Sequence, residues 1–411
     1  MKKPNILFVG NYNRRDYVDL LLKSKNEFNF FFLEFSSPKE VKNHYFKTYG
    51  KCIFWKDYRD AFDLLDKIKP AKVLFLFIEA YNHVALNTAC KLVSIPTFHL
   101  EHGLRADYTL SLGSERIQST PPDTHLQLLN SLNILLNFKD RWKTRLFLLN
   151  SIKRFPPPEA EFIKEFIKIR SKHNFLDTAV YIKSHERQPA FYISFSEKIF
   201  CTHQEYDVLS DQQKVYYIGI PYFDKLASII PATPIRAVLL IDQPLAEHSL
   251  LNWTVQKKRQ FIQTLTQVCS NNHYKLYVKP HPDQNILLWQ QRQQEVEIIN
   301  DEQLLALAPA IPLILGFYST LLMPFAAFAH TTVVTYEDHP AGNFLVSKPF
   351  TEAGVAQPIY DLEELHSILQ NLKALHQKQL PHKAKFTEEW MYKFDGKAGE
   401  RLRDILLSDA L

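Results

Sequence analysis

Apolar and polar positions along this chain follow two periods, and the period switches at short intervals. Asn5–Gly10 and Phe28–Phe35 (FNFFFLEF) read as strands, with a helix over Arg15–Lys25 between them. Tyr58–Lys67 is amphipathic, with Phe62, Leu64 and Leu65 as its apolar positions. Lys72–Ile78 (KVLFLFI) is nearly continuous in apolar residues, the pattern of a strand covered on both faces. Asn82–Val93 returns to a helical pattern and Pro96–Leu100 to a strand. Alternation of this kind predicts a parallel, doubly wound α/β sheet.

Residues 110–190 break the alternation. Leu126–Ile152 is a long helical pattern, Pro156–Pro158 punctuates it, and Glu159–Arg170 resumes with Phe162, Ile163, Phe166 and Ile167 on one face. Ala190–Thr202 and Val215–Ile220 read as strands. Tyr222–Pro234 has no strong period and reads as a linker. A second α/β unit then opens. Its strands are Arg236–Ile241, Tyr274–Val278, Val296–Ile299, Pro312–Leu315 and Thr332–Thr335. Its helices are Val255–Cys269, Glu302–Leu307, Leu321–Phe328 and Leu362–Leu375. Ala398–Leu411 is a last helix, expected to pack back on the first domain. The expected division is an N-terminal domain over 1–225 carrying a helical insertion at about 110–190, a second domain over 235–395, and the terminal helix from 396 to 411.

Composition narrows the class without naming a reaction. A chain of 411 residues with 46% hydrophobic and 23% charged content is globular and long enough for two domains. A net charge of +5 is too small to argue for nucleic acid. The four cysteines, Cys52, Cys90, Cys201 and Cys269, are far apart, which argues against a zinc site or a disulfide scaffold and suits a reducing cytoplasm. The first residues, MKKPNILFVGN, read as a strand and not as a signal peptide. No apolar run reaches the roughly 18–20 residues of a membrane span. Charge is uneven, however. Between residues 139 and 172 ten basic residues face four acidic ones, with Trp142, Phe147 and Phe155 among them. Two readings fit: a surface for an anionic lipid or acceptor, or packing helices with a solvated basic face.

Three short stretches carry candidate chemistry. In Tyr274–Asp283 (YKLYVKPHPD) the strand must stop at Pro280 and Pro282, so Lys279 and His281 stand at its carboxyl end, the rim where ligands bind in open α/β sheets. A cation and an imidazole there suit a phosphate. Gly316–Thr320 (GFYST) follows another strand, and Ser319 and Thr320 open a helix. Backbone N–H groups and hydroxyls at such a point suit an anion, although a plain helix cap has the same sequence. Glu101–Tyr108 (EHGLRADY) follows a strand of the first unit and places two acids, a histidine and an arginine beside Gly103. A solvated loop is the plain alternative. Gln243, ending the first strand of the second unit, is a candidate to read a base or ribose. There is no Walker loop, GxGxxG, HExxH, GxSxG or paired DxD.

Two α/β units with EHG at one rim, and KPHP with a Ser-Thr pair at the other, resemble the GT-B glycosyltransferases. Among these the nearest pattern is that of bacterial surface-polysaccharide enzymes with cytidine-nucleotide donors: sialyl-, polysialyl- and Kdo transferases, and the related CDP-glycerol phosphotransferases. The resemblance implies two Rossmann-like domains facing across a cleft, and transfer of a sugar from a CMP-activated donor to a hydroxyl of a glycan or glycolipid acceptor. It implies no cofactor and no metal, because one phosphate needs no bridging ion. It also implies inversion and a cytoplasmic enzyme, with attachment to the inner face of the plasma membrane left open. In the sialyltransferase-like families the first-rim motif is D/E-D/E-G and supplies the general base. Here it is Glu101-His102-Gly103, so Glu101 matches, and His102 and Asp107 are the alternatives. His281-Pro282 matches the family's HP motif and Ser319-Thr320 its Ser/Thr motif, both implied to hold the nucleotide's phosphate with Lys279 and Gly316. Arg105 is suited to a donor or acceptor carboxylate, a salt bridge to its own loop being the alternative. FHLEHGLR also resembles the HVEAGLR segment of UDP-N-acetylglucosamine 2-epimerases.

Overall fold

The computed structural model describes residues 3–104, 138–172, 182, 186–207, 209, 212–282, 284–342 and 345–408. They form two units, one built on each of two parallel sheets. The first unit takes the described chain to Gly103, then residues 138–222, and again from Lys397. The second takes Leu104 and Phe223–Gly396.

The first sheet contains β1 (Asn5–Val9), β2 (Asn29–Leu33), β3 (Gly50–Ile53), β4 (Lys72–Phe75), β5 (Thr97–Leu100), β6 (Phe191–Ser194) and β7 (Val215–Tyr217). Their order is β3-β2-β1-β4-β5-β6-β7, and every pairing is parallel. β4 and β5 are buried throughout, as an uninterrupted apolar run requires. Leu7, Val9, Val73 and Phe75 from the strands meet Leu64, Val84 and Ala85 from the flanking helices in one core. That core extends to Phe147, Ile163 and Phe166 of the helices Phe138–Arg154 and Pro157–Arg170.

The second sheet contains β8 (Ala237–Ile241), β9 (Lys275–Lys279), β10 (Val296–Ile298), β11 (Leu313–Gly316), β12 (Thr332–Tyr336) and β13 (Gln357–Ile359). The order is β10-β9-β8-β11-β12-β13, again all parallel. Val238, Leu240, Leu276, Leu313 and Leu315 pack there against Phe261, Ile262 and Leu265 of the helix Val255–Asn271.

Several elements differ from the pattern expected of the sequence. Ala190–Thr202 is a strand only to Ser194. Ser196 Oγ accepts the Ile199 N–H at 3.3 Å, an N-terminal cap, and Glu197–Asp207 is a helix. The helix expected over Arg15–Lys25 stops at Asp19 and continues as turns. Leu362–Leu375 is two helices, Glu364–Gln370 and Leu372–Gln379, divided at Asn371. β3, β13 and the helix Lys383–Met391 were not apparent from periodicity; the two strands are three and four residues long, too short to show one. The part of the expected Leu126–Ile152 helix before Phe138 lies outside the described residues.

The terminal helix Ala398–Leu407 buries Leu402 and Leu406, and Lys72 of β4 closes its end. Lys72 is itself buried, and its ammonium donates to the carbonyls of Ile405, Leu406 and Ser408 at 3.2, 2.8 and 2.6 Å. These are carbonyls the helix cannot satisfy internally, and a cation suits the negative end of its dipole. Lys72→Met should destabilise the protein by about 1–3 kcal/mol by stranding them. Urea unfolding measures this, and an unchanged midpoint would show that water replaces the lysine without cost.

Candidate active site

The second sheet has the order in which a parallel sheet parts at its centre. From β8 the chain proceeds outward to β9 on one side, and from β11 it proceeds to β12 on the other. The carboxyl ends of β8 and β11 therefore flank the topological switch point, where such sheets bind ligands. Asp242 and Gln243 follow β8, Lys279 ends β9 and Pro280–Pro282 follow it, and Phe317–Thr320 follow β11. Gln243, Lys279, His281, Gly316, Ser319 and Thr320 thus share one edge of one sheet.

The switch point is bridged by Gln243. Its Oε1 accepts the Tyr318 N–H at 3.1 Å, and its Nε2 donates to the Tyr318 carbonyl. This leaves one N–H and one lone pair of the carboxamide for a base or ribose. Lys279, 11% exposed at its side chain, forms an ion pair with Asp301 at 3.1 Å and donates to the Pro280 carbonyl at 3.2 Å. The cation expected to face a phosphate is thus already counterbalanced by a solvent-exposed carboxylate, which a phosphate would have to compete with or sit beside.

The turn carrying His281 is fixed through its backbone. The His281 N–H donates to Gln284 Oε1 at 3.0 Å, and the Gln284 N–H returns to the His281 carbonyl at 3.0 Å. Gln284 is buried, and its Nε2 donates to Asp242 Oδ2. The same oxygen accepts from Trp289 Nε1 at 2.6 Å and stands 3.4 Å from Lys258 Nζ, while Asp242 Oδ1 accepts the Gln243 N–H at 2.8 Å. Lys258 also meets Glu247 at 3.2 Å, and Glu247 accepts the Asn285 N–H at 3.2 Å. A buried carboxylate is costly unless fully hydrogen-bonded, and Asp242 is. It ties the ends of β8 and β9 and the histidine turn into one unit. The sequence displayed the Asp-Gln-Pro end of a strand. It gave no sign that Lys258, Gln284 and Trp289 converge on that aspartate.

At the end of β11, Gly316 is needed for packing. A Cβ there would lie 2.7 Å from the buried Leu322 side chain, so any larger residue would push the Leu322 methyls aside. That helix is Leu322–Ala327, one residue shorter at each end than expected, and neither Ser319 nor Thr320 is its cap residue. Ser319 Oγ accepts the Leu321 N–H at 3.2 Å, a local turn, and Thr320 Oγ1 accepts the Leu104 N–H at 3.0 Å. Pro282 is exposed, while Ser319, Thr320 and His281 are half-buried.

In the first unit the Glu101 N–H continues the ladder, donating to the Ile193 carbonyl at 2.9 Å. Glu101 is fully buried and its Oε1 accepts the His102 N–H at 3.2 Å. His102 is half-buried, its ring held edge-on to Phe77 at 4.3 Å and Tyr17 at 4.9 Å between centroids. Its carbonyl accepts the Tyr222 hydroxyl at 3.2 Å. Burial first, and then the nearby Asp16 and Tyr17, push the Tyr222 phenol well above its usual pKa, so it stays a donor. Arg14 pairs with Asp16 at 3.1 Å and covers the Tyr17 ring at 4.3 Å. Arg14, Asp16 and Tyr17, at the start of the helix after β1, were missed by sequence reasoning, because the Asn-Arg-Arg-Asp run looks like an ordinary polar helix start. Arg105 and Asp107 lie outside the described residues. Among the described residues no three His, Cys, Asp or Glu side chains are grouped to hold a metal.

Two Rossmann-like sheets, each with its polar residues on the carboxyl edge, are those of a GT-B glycosyltransferase. Solved structures agree on the fold. The calicheamicin glycosyltransferase CalG4 matches at TM-score 0.53 with 14% identity, covering 100% of both chains. The wall teichoic acid polymerase TagF matches at 0.53 with 11% identity, over 99% of this chain and 88% of that one. The Methanocaldococcus jannaschii UDP-GlcNAc 2-epimerase matches at 0.50 with 12% identity, over 98% and 99%. No curated protein sequence matches the chain. The chain belongs to the alpha-2,8-polysialyltransferase (POLYST) family, whose model matches residues 5–338. It is a glycosyltransferase.

Proposed function

We propose that this glycosyltransferase moves a sialic-acid-like or Kdo-like sugar from a CMP-activated donor to a hydroxyl of a glycan acceptor, with inversion and without a metal. The observation that carries the reading is the gathering of Lys279, His281, Ser319 and Thr320 on the switch-point edge of the second sheet, in a chain of this family. The acceptor oxygen attacks the anomeric carbon. The bond from that carbon to the phosphate oxygen breaks, and its electron pair leaves with CMP. Charge therefore grows on one phosphate, where Lys279 and the amides and hydroxyls at Ser319 and Thr320 stabilise it and His281 supplies a proton. Each such preorganised donor contributes roughly 10²–10³ in rate.

The acceptor proton goes to a base at the first rim. Glu101 is the first candidate, with His102 and Asp107 as alternatives. The Glu101 carboxylate is fully buried and accepts the His102 N–H, which supports a part in holding His102 beside the direct role proposed here. Glu101→Gln keeps shape and size, so it should abolish transfer while CMP still binds, as read by product formation and titration calorimetry. If transfer survives, the base is elsewhere, and His102→Ala is then the decisive variant.

A donor panel tests the reading as a whole. Turnover with CMP-sialic acid or CMP-Kdo, and with neither CDP-glycerol nor UDP-N-acetylglucosamine, is the expected result. Consumption of CDP-glycerol would replace it with glycerophosphate transfer. Release of UDP from UDP-N-acetylglucosamine without an acceptor would replace it with epimerisation.

A further inference from the structure

The helix Phe138–Arg154 has two apolar faces where a surface helix needs one. Phe147, Leu148 and Ser151 point inward. Phe147 packs on Trp55 at 5.2 Å between centroids, and Ser151 Oγ accepts the Ala61 N–H at 2.9 Å. At about 100° per residue, Phe138, Trp142, Leu146 and Leu149 fall within about 80° of one another on the opposite side. They are exposed at 64%, 50%, 38% and 43%, and Phe138 and Trp142 stack at 6.4 Å. Lone exposed apolar residues need no explanation, but a stripe along three turns does.

The charges around the stripe are of one sign. Arg141 and Arg145 border it on one side, Lys139 and Lys143 on the other, and Lys153 continues its line. None of the five forms an ion pair among the described residues. The helix's one carboxylate, Asp140, lies on the inward side and pairs with Lys56 at 2.9 Å. Arg154 is likewise committed, to Asp60 at 2.6 Å. The outward half of this helix is therefore an apolar seam with aromatic residues at one end, bordered only by unneutralised cations.

We propose that this face docks on an anionic lipid surface, its apolar stripe at the headgroup–acyl boundary and its cations among the headgroups. A soluble acidic glycan would account for the cations but not for the apolar seam. A second copy of the chain would bring five positive charges against five. No helix among the described residues is long and apolar enough to cross a membrane.

Flotation of the full chain with vesicles tests it. Binding is expected to vesicles containing phosphatidylglycerol and not to pure phosphatidylcholine. Replacing Arg141, Lys143 and Arg145 by Gln should weaken binding about a hundredfold, near one kcal/mol per charge. Trp142→Ser with Leu149→Ser should weaken it about tenfold or more. Both variants should melt at the wild-type temperature and glycosylate a soluble acceptor as the wild type does, since every substituted side chain is exposed. Failure of the wild type to float with anionic vesicles overturns the proposal. So does an apolar variant that floats normally while only the basic one fails, which would indicate a site for a polyanion. A wild-type dimer that the apolar variant converts to monomer also overturns it.

Discussion

His281→Ala is expected to lower turnover by roughly two to three orders of magnitude while leaving the melting temperature nearly unchanged. The two halves of this expectation have separate origins. The rate loss follows if the imidazole supplies a proton to the departing phosphate oxygen. The preserved stability follows from how the turn is held. Two hydrogen bonds that fix the turn run through the main chain of position 281, one from its N–H to the Gln284 side chain and one to its carbonyl from the Gln284 N–H. Alanine keeps both. The side chain is also only half-buried, so its removal leaves no closed cavity. Steady-state assay with the preferred CMP-sugar, beside thermal melting, separates the two effects. Near-normal turnover would remove His281 from the mechanism. A large fall in melting temperature would make its role structural. A fall in turnover with CMP affinity retained would place its effect in the transition state.

The sheets were legible because buried parallel strands leave a near-continuous apolar signature. Lys72–Phe75 and Leu313–Gly316 are buried at every position, and their sequences say so. The rim residues were legible for a related reason. A strand that stops at a proline or a glycine advertises the residues just past it, as Lys279, His281 and Ser319 show. What was not legible is interaction between residues distant in sequence and unremarkable in type. Asp242 meets Lys258, Gln284 and Trp289 only because β8, its helix and the turn after β9 fold together. Gln243 looked like a residue free to read a ligand, and the fold gives half of its hydrogen-bonding capacity to Tyr318. Burial at the first rim was equally hidden. Glu101 and His102 are adjacent in sequence, yet one is sealed and the other half-open, because Glu101 still lies in the ladder with β6. Ala190–Thr202 misled by composition, since the apolar residues after Ser196 belong to a helix whose start depends on one serine hydroxyl.

Asp242→Ala should be the most destabilising single change at the candidate site. Asp242 and Lys258 side chains are each 3% exposed, and the carboxylate is what balances the ammonium together with Glu247. Its removal leaves a buried cation with half its compensation, and strands the Gln284 and Trp289 donors as well. Breaking a buried pair from one side costs about 3–5 kcal/mol, a large share of the total stability of an ordinary domain. Asp242→Asn keeps one oxygen, which in the Oδ1 position still accepts the Gln243 N–H while the amide NH2 replaces the acceptor of Gln284 and Trp289, and it should cost less. Asp242→Asn combined with Lys258→Met removes both charges and should recover part of the loss, since the pair as a whole contributes less than either half deprived of its partner. Urea unfolding of the three variants measures the series. Turnover should fall in Asp242→Asn even where the fold survives, because Gln284 loses the acceptor that anchors the turn beneath His281. A loss below about 1 kcal/mol in Asp242→Ala would mean that water enters and solvates Lys258, and that the histidine turn is held by Gln284 alone.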